Sequence, residues 1–434
     1  MTERERADGA PSLDPVRAQY EAYPYPPRDP ADEARRLITG SPSHLDEIDH
    51  YVFGGARRRD RPLRALVAGG GTGDGAVMLA QQLADRARNE GGPEGEVVYL
   101  DVSTASRAVA EARIRARGLR NVRFVEASLV DLPALGLGRF DYIDCCGVLH
   151  HLPDPAAGLA TLAAALDPGG GMGLMLYGAL GRTGVYPVQR ALRALIAAGG
   201  EGEVPGSSAR VGLARRLLDD LPPTNWLRRN TLVADHLTAG DAGLYDLLLH
   251  ARDRAYTVPE IFDLAAGAGL VVTAFLEPVR YDPTVYLKDA GLAARARALS
   301  WPEACALAEN LAGNLKTHVF YAVRADRPAD AGPPVARPAG PGVVPVLRDG
   351  RGEELARGFA KAGRLRVDLD GVEVRFALPE GAAELTALID GRRSLDDMRA
   401  ALGLDWFAFK ARFDRLYAVL NPLNILLLRA AQAS

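Results

Sequence analysis

ALVAGGGTGDGAVMLAQQLA, residues 65–84, decides the fold. A short apolar run ends in glycines at 69, 70, 71, 73 and 75, and an amphipathic segment begins near Ala76. Strand, glycine turn and helix in that order bring a backbone without Cβ atoms close to a ligand, with the turn's amide N–H groups facing it. Turns of this kind also serve ATP and dinucleotides. The GxxxxGK(S/T) spacing of a phosphate loop is absent, since no lysine follows, and this argues against a triphosphate.

Outward from that turn, apolar β-like runs recur at 63–68, 96–101, 122–126, 140–146 and 172–177, separated by amphipathic segments. This alternation is the signature of βαβ units and a parallel sheet. Asp101 ends the second run, where a carboxylate can accept hydrogen bonds from two ribose hydroxyls; its plainer role is to cap the helix STASRAVAEAR. Ser128 and Leu129 follow the third run, where an adenine edge would lie. FDYIDCCGVLHHLPDP passes from the fourth run through Gly147 into a loop with His150 and His151, and LDPGGGMGLMLY turns into the fifth.

Taken in order, these elements resemble the class I (Rossmann-like) S-adenosylmethionine-dependent methyltransferases. The resemblance is firm over 63–177 and loose, through YTVPEIFDLAAGAGLVVTAF and HVFYAVR, over 255–324. It implies an α/β fold with a seven-stranded sheet, the last strand antiparallel, and S-adenosylmethionine across the carboxyl ends of the first strands. On that resemblance Gly69, Gly71 and Gly73 pass the methionine moiety, Asp101 holds the ribose, Ser128 and Leu129 border the adenine, and Gly147 lies near the sulfonium. Two positions depart from the family pattern. Val67 stands where an acid is usual, two residues before the first glycine, and Ser128 replaces the usual acid beside the adenine. Another residue must therefore supply what Val67 cannot.

The remaining chain divides by composition. Residues 1–60 read as an N-terminal arm or lid, in which the prolines of YEAYPYPPRDP (20–30) fix extended backbone. Residues 61–325 form the methyltransferase-like domain, with a Leu/Arg-rich helical insertion at 181–255. The Pro/Ala/Gly stretch 326–345 is a linker, and 346–434 a small α+β domain. Within the latter, ELTALIDGRRSLDDMRAALG (384–403) resembles PqqD-like peptide-binding modules, which implies capture of a peptide by strand addition; oligomerisation or scaffolding is the alternative.

Composition excludes several classes. The 434 residues are 48% apolar and 25% charged with a net charge of -3, so no global field recruits nucleic acid. No apolar run is long enough to span a bilayer, and the charged N-terminus lacks a secretory core, so the cytoplasm is expected. The three cysteines, two of them adjacent at 145 and 146, read as reduced, buried small residues, and no metal is expected.

For catalysis, His150 is a candidate general base because imidazole titrates near neutrality, and Tyr256 lies in a loop returning to the same edge. On the substrate side, Tyr20, Tyr23 and Tyr25 would cover the cofactor with aromatic faces that attract a cation, joined by His50, His250 and Asp253. The expected activity is methyl transfer from S-adenosylmethionine to a peptide or protein side chain. A small-molecule O-, N- or C-methyltransferase, or a non-catalytic S-adenosylmethionine-binding interaction protein, are the alternatives. Oligomeric state is not readable from the sequence.

Overall fold

The computed structural model describes residues 15–57, 60–199 and 206–430. Its centre is a seven-stranded sheet of order β3-β2-β1-β4-β5-β7-β6. These strands are β1 (Arg64–Ala68), β2 (Glu96–Asp101), β3 (Val122–Glu126), β4 (Phe140–Cys146), β5 (Leu166–Tyr177), β6 (Leu270–Phe275) and β7 (Thr317–Arg324). The first five pair in parallel, and β7 runs antiparallel between β5 and β6. This is the α/β Rossmann-like sheet expected from the motifs. Val, Leu and Ile on both faces explain it, since parallel strands buried on two sides read as nearly continuous apolar runs.

Two apolar layers cover the sheet. On one face β1, β2, α3 (Asp74–Glu90) and α4 (Thr104–Ala116) close around Val67, Val77, Leu79, Val97 and Tyr99. On the other, α5 (Pro155–Ala165) and the helix Val258–Gly267 bury Leu66, Val98, Phe140, Leu159 and Ile261. The helix Val258–Gly267 starts with a capping box, Thr257 with Glu260, and a proline in its first turn. Between β5 and that helix lie α6 (Val185–Ala198), α7 (Ser207–Asp220), three short helices, and one π-turn at Tyr245–Leu249. They pack on a separate apolar cluster that includes Val188, Leu192, Leu227 and Leu248, with Tyr23 against it.

The arm is ordered against the sheet's carboxyl edge. It comprises α1 (Pro15–Ala22), an extended proline segment, and α2 (Leu45–Tyr51). Glu21 caps α4 by accepting from the N–H groups of Thr104 (2.6 Å) and Ala105 (3.2 Å). Arg28 binds Asp74 at 2.6 Å, and Tyr23 stacks on Tyr245.

The C-terminal segment builds two small antiparallel sheets, β8 (Val343–Leu347) with β11 (Leu426–Ala430) and β9 (Arg364–Asp368) with β10 (Glu373–Ala377). Helices Leu395–Ala401 and Trp406–Leu420 supply its core, with Phe409, Phe413 and Met398 fully buried. This module is bolted to α2. Glu47 takes Asn424 Nδ2 at 2.6 Å and pairs with Arg348, and Arg429 reaches Glu90 at 2.9 Å. Within 326–345, the Pro334 carbonyl accepts from Gly54 and Ala336 donates to the His50 carbonyl, which fastens that stretch to the arm.

His50, named on the substrate side, lies instead against the C-terminal module. Its Nδ1 accepts from Leu428 N–H at 2.9 Å and the ring packs on Tyr51, fully buried between α2 and β11. Burial pushes its pKa down to about 4, with the Leu428 carbonyl, 3.3 Å from Nδ1, opposing.

Candidate active site

The glycine turn sits where β1 feeds α3. Gly71 has φ +51°, and a Cβ there would lie 3.3 Å from the Tyr25 carbonyl, so the arm closes down on bare backbone. Gly73, at φ +101°, meets α4: a Cβ would stand 2.8 Å from the Ala110 Cβ. Only glycine suits both demands.

The turn's amides face inward, contrary to the expectation that they present N–H groups to a ligand. Gly69 and Gly70 donate to the Leu100 carbonyl, Gly73 to that of Gly70, and Gly71 to Asp101 Oδ2 at 2.7 Å. Asp74 then places a carboxylate in the first turn of α3, where a pyrophosphate would have to sit. Burial works against that charge, but Arg28 and Arg113 hold its pKa low. Asp74 is thus ion-paired with two arginines.

Asp101 ends β2 as the resemblance requires. Its oxygens accept from Gly71 N–H and, at 2.8 Å, Ser103 N–H, and burial raises its pKa. A carboxylate has about four lone-pair sites, so acceptor capacity remains for ribose hydroxyls. Ser103, not Asp101, caps α4.

Val67 has a substitute on the neighbouring strand. In the β1–β4 ladder Val67 pairs with Asp144, whose buried carboxylate takes a hydrogen bond from Ser43 and would lie 3.3 Å from a Cβ on Gly75. Burial pushes its pKa to about 6, with the Ser43 bond opposing. Beyond it Cys146 is exposed, which corrects the expectation of three buried thiols; Cys145 and Cys305 are buried. Gly147 follows with φ +77°. Ser128 Oγ faces the Val130 N–H at 3.4 Å, starting a short 3-10 helix, and the Leu129 side chain enters the core. The donor and acceptor set of Asp101, Asp144 and the bare turn thus suits S-adenosylmethionine, the methyl donor that the resemblance implies.

Two strands away, at the ends of β4 and β5, lies a buried polar cluster. Tyr177 is sandwiched between His150, with centroids 4.0 Å apart, and the Arg182 guanidinium at 3.6 Å. Arg182 and Gln189 bind Asp253 Oδ2 at 3.1 and 2.9 Å. Tyr20 from α1 reaches Asp246 Oδ1 and His250 Nε2, each at 3.2 Å, and Tyr177 donates to Asp246 Oδ2 at 3.3 Å. Tyr20, Tyr177, His250 and Asp253 thus converge, and the charges of Asp246 and Arg182 act on Tyr25.

The two catalytic candidates fare differently from expectation. His150 is buried with neither ring nitrogen hydrogen-bonded, and burial depresses its pKa strongly, so nothing orients it as a base. Tyr256 stands apart from the cluster. Its backbone bridges Gly178, while its ring lies in the apolar core under Arg254. Asp246, by contrast, was missed. An aspartate inside the apolar run LYDLLLH was the readable signal, because buried acids are rare without a partner.

His151, Asp246 and His250 bring ligand-type atoms within 4.8 Å of one another. The two imidazoles, however, stack 3.7 Å apart at 15°. A ring nitrogen binds along its own plane, and two nearly parallel planes so separated share no nearby point for one ion. Arg252 N–H also donates to His250 Nδ1 at 3.1 Å, which assigns the proton to Nε2. As arranged, each of the three is hydrogen-bonded outside the trio, His151 to the Arg252 carbonyl and Asp246 and His250 to Tyr20.

Comparison with known proteins agrees with the geometry. A family model described as a methyltransferase domain matches residues 66–172. An uncharacterised protein of Synechococcus sp. is 32% identical over 271 residues, 62% of this chain and 61% of that protein. A demethylmenaquinone methyltransferase of Geobacillus kaustophilus is 36% identical over 107 residues, 25% of this chain and 42% of that enzyme. The chain therefore spans less than two thirds of either relative. Among solved structures, PKMT2 from Rickettsia typhi superposes with a TM-score of 0.58 at 15% identity, covering 89% of this chain and 75% of that one; its complex with AdoHcy gives the same score. These matches lend the PqqD-like reading of the C-terminal module no support. No helix among the described residues is long and apolar enough to cross a membrane. Residues 66–172 are a methyltransferase domain of the class I, S-adenosylmethionine-dependent kind.

Proposed function

We propose that this chain transfers a methyl group from S-adenosylmethionine to an acceptor held against the buried polar cluster at the ends of β4 and β5. The observation that carries this reading is the sharing of one sheet edge by two sites. The turn at Gly69–Gly73 with Asp101 and Asp144 lies there, and two strands away lie Tyr20, Tyr177, Asp246 and His250. S-adenosylmethionine supplies an electrophilic methyl, so the chain's task is to align the acceptor and exclude water. The arm does both: Tyr20 covers the cluster, and Tyr25 and Pro26 lie against the turn through the Tyr25 carbonyl and the Thr72 to Pro26 hydrogen bond of 2.8 Å.

An acceptor in so buried a place must be slender, either a small molecule or one projecting side chain. The small molecule is favoured, because the cluster is buried and is built from the arm, the insertion and the ends of β4 and β5, with no residue of the C-terminal module in it. A protein side chain is the second reading. A recess of about 220 Å³ supports it: Asp370 and Leu423 of the C-terminal module face Lys316 and Thr317, beside the end of β5. Incubation of the protein and labelled S-adenosylmethionine with cell lysate, followed by size fractionation, tests both. Label in the small-molecule fraction is expected, label in protein would favour the second reading, and no label in either fraction refutes methyl transfer.

A further inference from the structure

We propose that Asp246 receives the proton released by the acceptor, through the hydroxyl of Tyr20, so that the reaction is competent only while the arm is closed. This rests on the methyltransferase reading above. Hydrogen-bond direction argues for it. His250 Nδ1 is occupied by Arg252 N–H, so His250 Nε2–H donates to the Tyr20 oxygen, and the Tyr20 proton points to Asp246 Oδ1. One lone pair of the Tyr20 oxygen is left for an incoming proton. The same residue touches the cofactor side, because its carbonyl accepts from Ser103 Oγ at 3.2 Å, and Ser103 N–H holds Asp101. Tyr20 therefore bridges the ribose acid's turn and Asp246.

Asp246 is built for the task. It sits on the π-turn Tyr245–Leu249, an irregularity often found at functional sites, with its carboxylate between Tyr20 and Tyr177. Tyr20 and Tyr177 each donate to one oxygen, Asp253 and Arg182 act on it with opposite charge, and His151 and His250 lie within reach. Burial, seconded by Asp253, lifts its pKa to about 7, while the Tyr20 bond, Arg182 and the Tyr177 bond oppose. A carboxylate titrating near neutrality is matched to general-base work. In the step, the acceptor's lone pair forms the new bond to the methyl carbon as the carbon–sulfur bond breaks and its electron pair goes to sulfur. The acceptor's proton passes to the Tyr20 oxygen and the Tyr20 proton to Asp246, which ends as a neutral acid.

Tyr20→Phe, Asp246→Asn and Asp246→Glu test this, with two readouts. The first follows the Asp246 carboxyl by carbon NMR as pH is varied, with S-adenosylhomocysteine present and Asp246→Asn assigning the signal. A midpoint near 7 that moves up in Tyr20→Phe is expected, because the lost bond favoured the charged form; an unmoved midpoint overturns the coupling. The second is label transfer from S-adenosylmethionine into whole cell lysate, read in both the small-molecule and the protein fraction. Tyr20→Phe and Asp246→Asn are expected to slow it by about 10²-fold or more, Asp246→Glu to recover part of the rate, and S-adenosylhomocysteine binding to stay within a few-fold. Full-rate transfer by Tyr20→Phe overturns the relay alone. Absence of transfer by the unaltered chain overturns the methyltransferase reading, and the carboxyl titration then still decides whether Tyr20 and Asp246 are coupled.

Discussion

Asp144→Asn isolates the cost of the carboxylate that stands in for an acid at position 67. Asp144 is fully buried beneath the glycine turn, and its pKa rises from the ordinary 3.8 to about 6. The folded state thus holds its proton more tightly than the unfolded chain, so stability falls as pH rises from about 4 to about 6 and then levels off. Two pH units at 1.36 kcal/mol each give about 3 kcal/mol lost across that window. Asparagine keeps the shape and an acceptor for the Ser43 hydroxyl but has no charge to bury. Its extra N–H₂ costs about 1–3 kcal/mol if unpartnered, at every pH alike. The useful quantity is therefore the difference between variant and parent at two pH values. Urea unfolding at pH 4 and pH 8 is expected to show Asp144→Asn gaining about 3 kcal/mol on the parent between them. Asp101 and Asp246, whose pKa values are also raised, cancel because both chains carry them. A variant–parent difference independent of pH would refute the reasoning. With S-adenosylmethionine present the gain should shrink, since the ligand's cationic groups compensate the charge.

Two further outcomes follow from buried contacts. His50→Gln keeps an acceptor for Leu428 N–H but removes a histidine whose pKa is lowered to about 4. That depression stabilises the parent above the ordinary value of 6.5 and is lost as pH falls toward 4, so the parent should lose about 3 kcal/mol that the variant does not, read by denaturation at pH 7.5 and 4.5. Gly73→Ala combines a left-handed φ with a Cβ 2.8 Å from Ala110, and about 2–4 kcal/mol of stability should vanish in the same assay; an unchanged midpoint would mean that α3 and α4 can part freely.

The sheet and the cofactor side were legible because they are local. Strand, glycine turn and helix at 65–84 and the acid at 101 are contiguous patterns, and each element keeps its predicted place. Even there, the sequence does not say which way an amide points: the turn's N–H groups are consumed by Leu100, Asp101 and Gly70. The replacement for an acid at 67 was hidden for a different reason. Asp144 is its partner only through strand register, 77 residues on along the chain. The acceptor side depends on contacts across the whole fold. Tyr20, His250 and Asp253 were named from residue type and do converge. His50, of the same type, is consumed by β11, and Tyr256 by the core. Asp246 lay in an apolar run with no motif around it, and its partners, Tyr20 of the arm and Tyr177 at the end of β5, are brought to it only by the fold.

Calorimetry with the full chain tests the central claim most directly. S-adenosylmethionine and S-adenosylhomocysteine are expected to bind at one site per chain, Asp101→Ala to weaken both by about 10-fold or more, the loss of hydrogen bonds to a charged group, and NAD to give no heat. No binding of either adenosyl compound, or saturable binding of NAD in their place, would contradict the account.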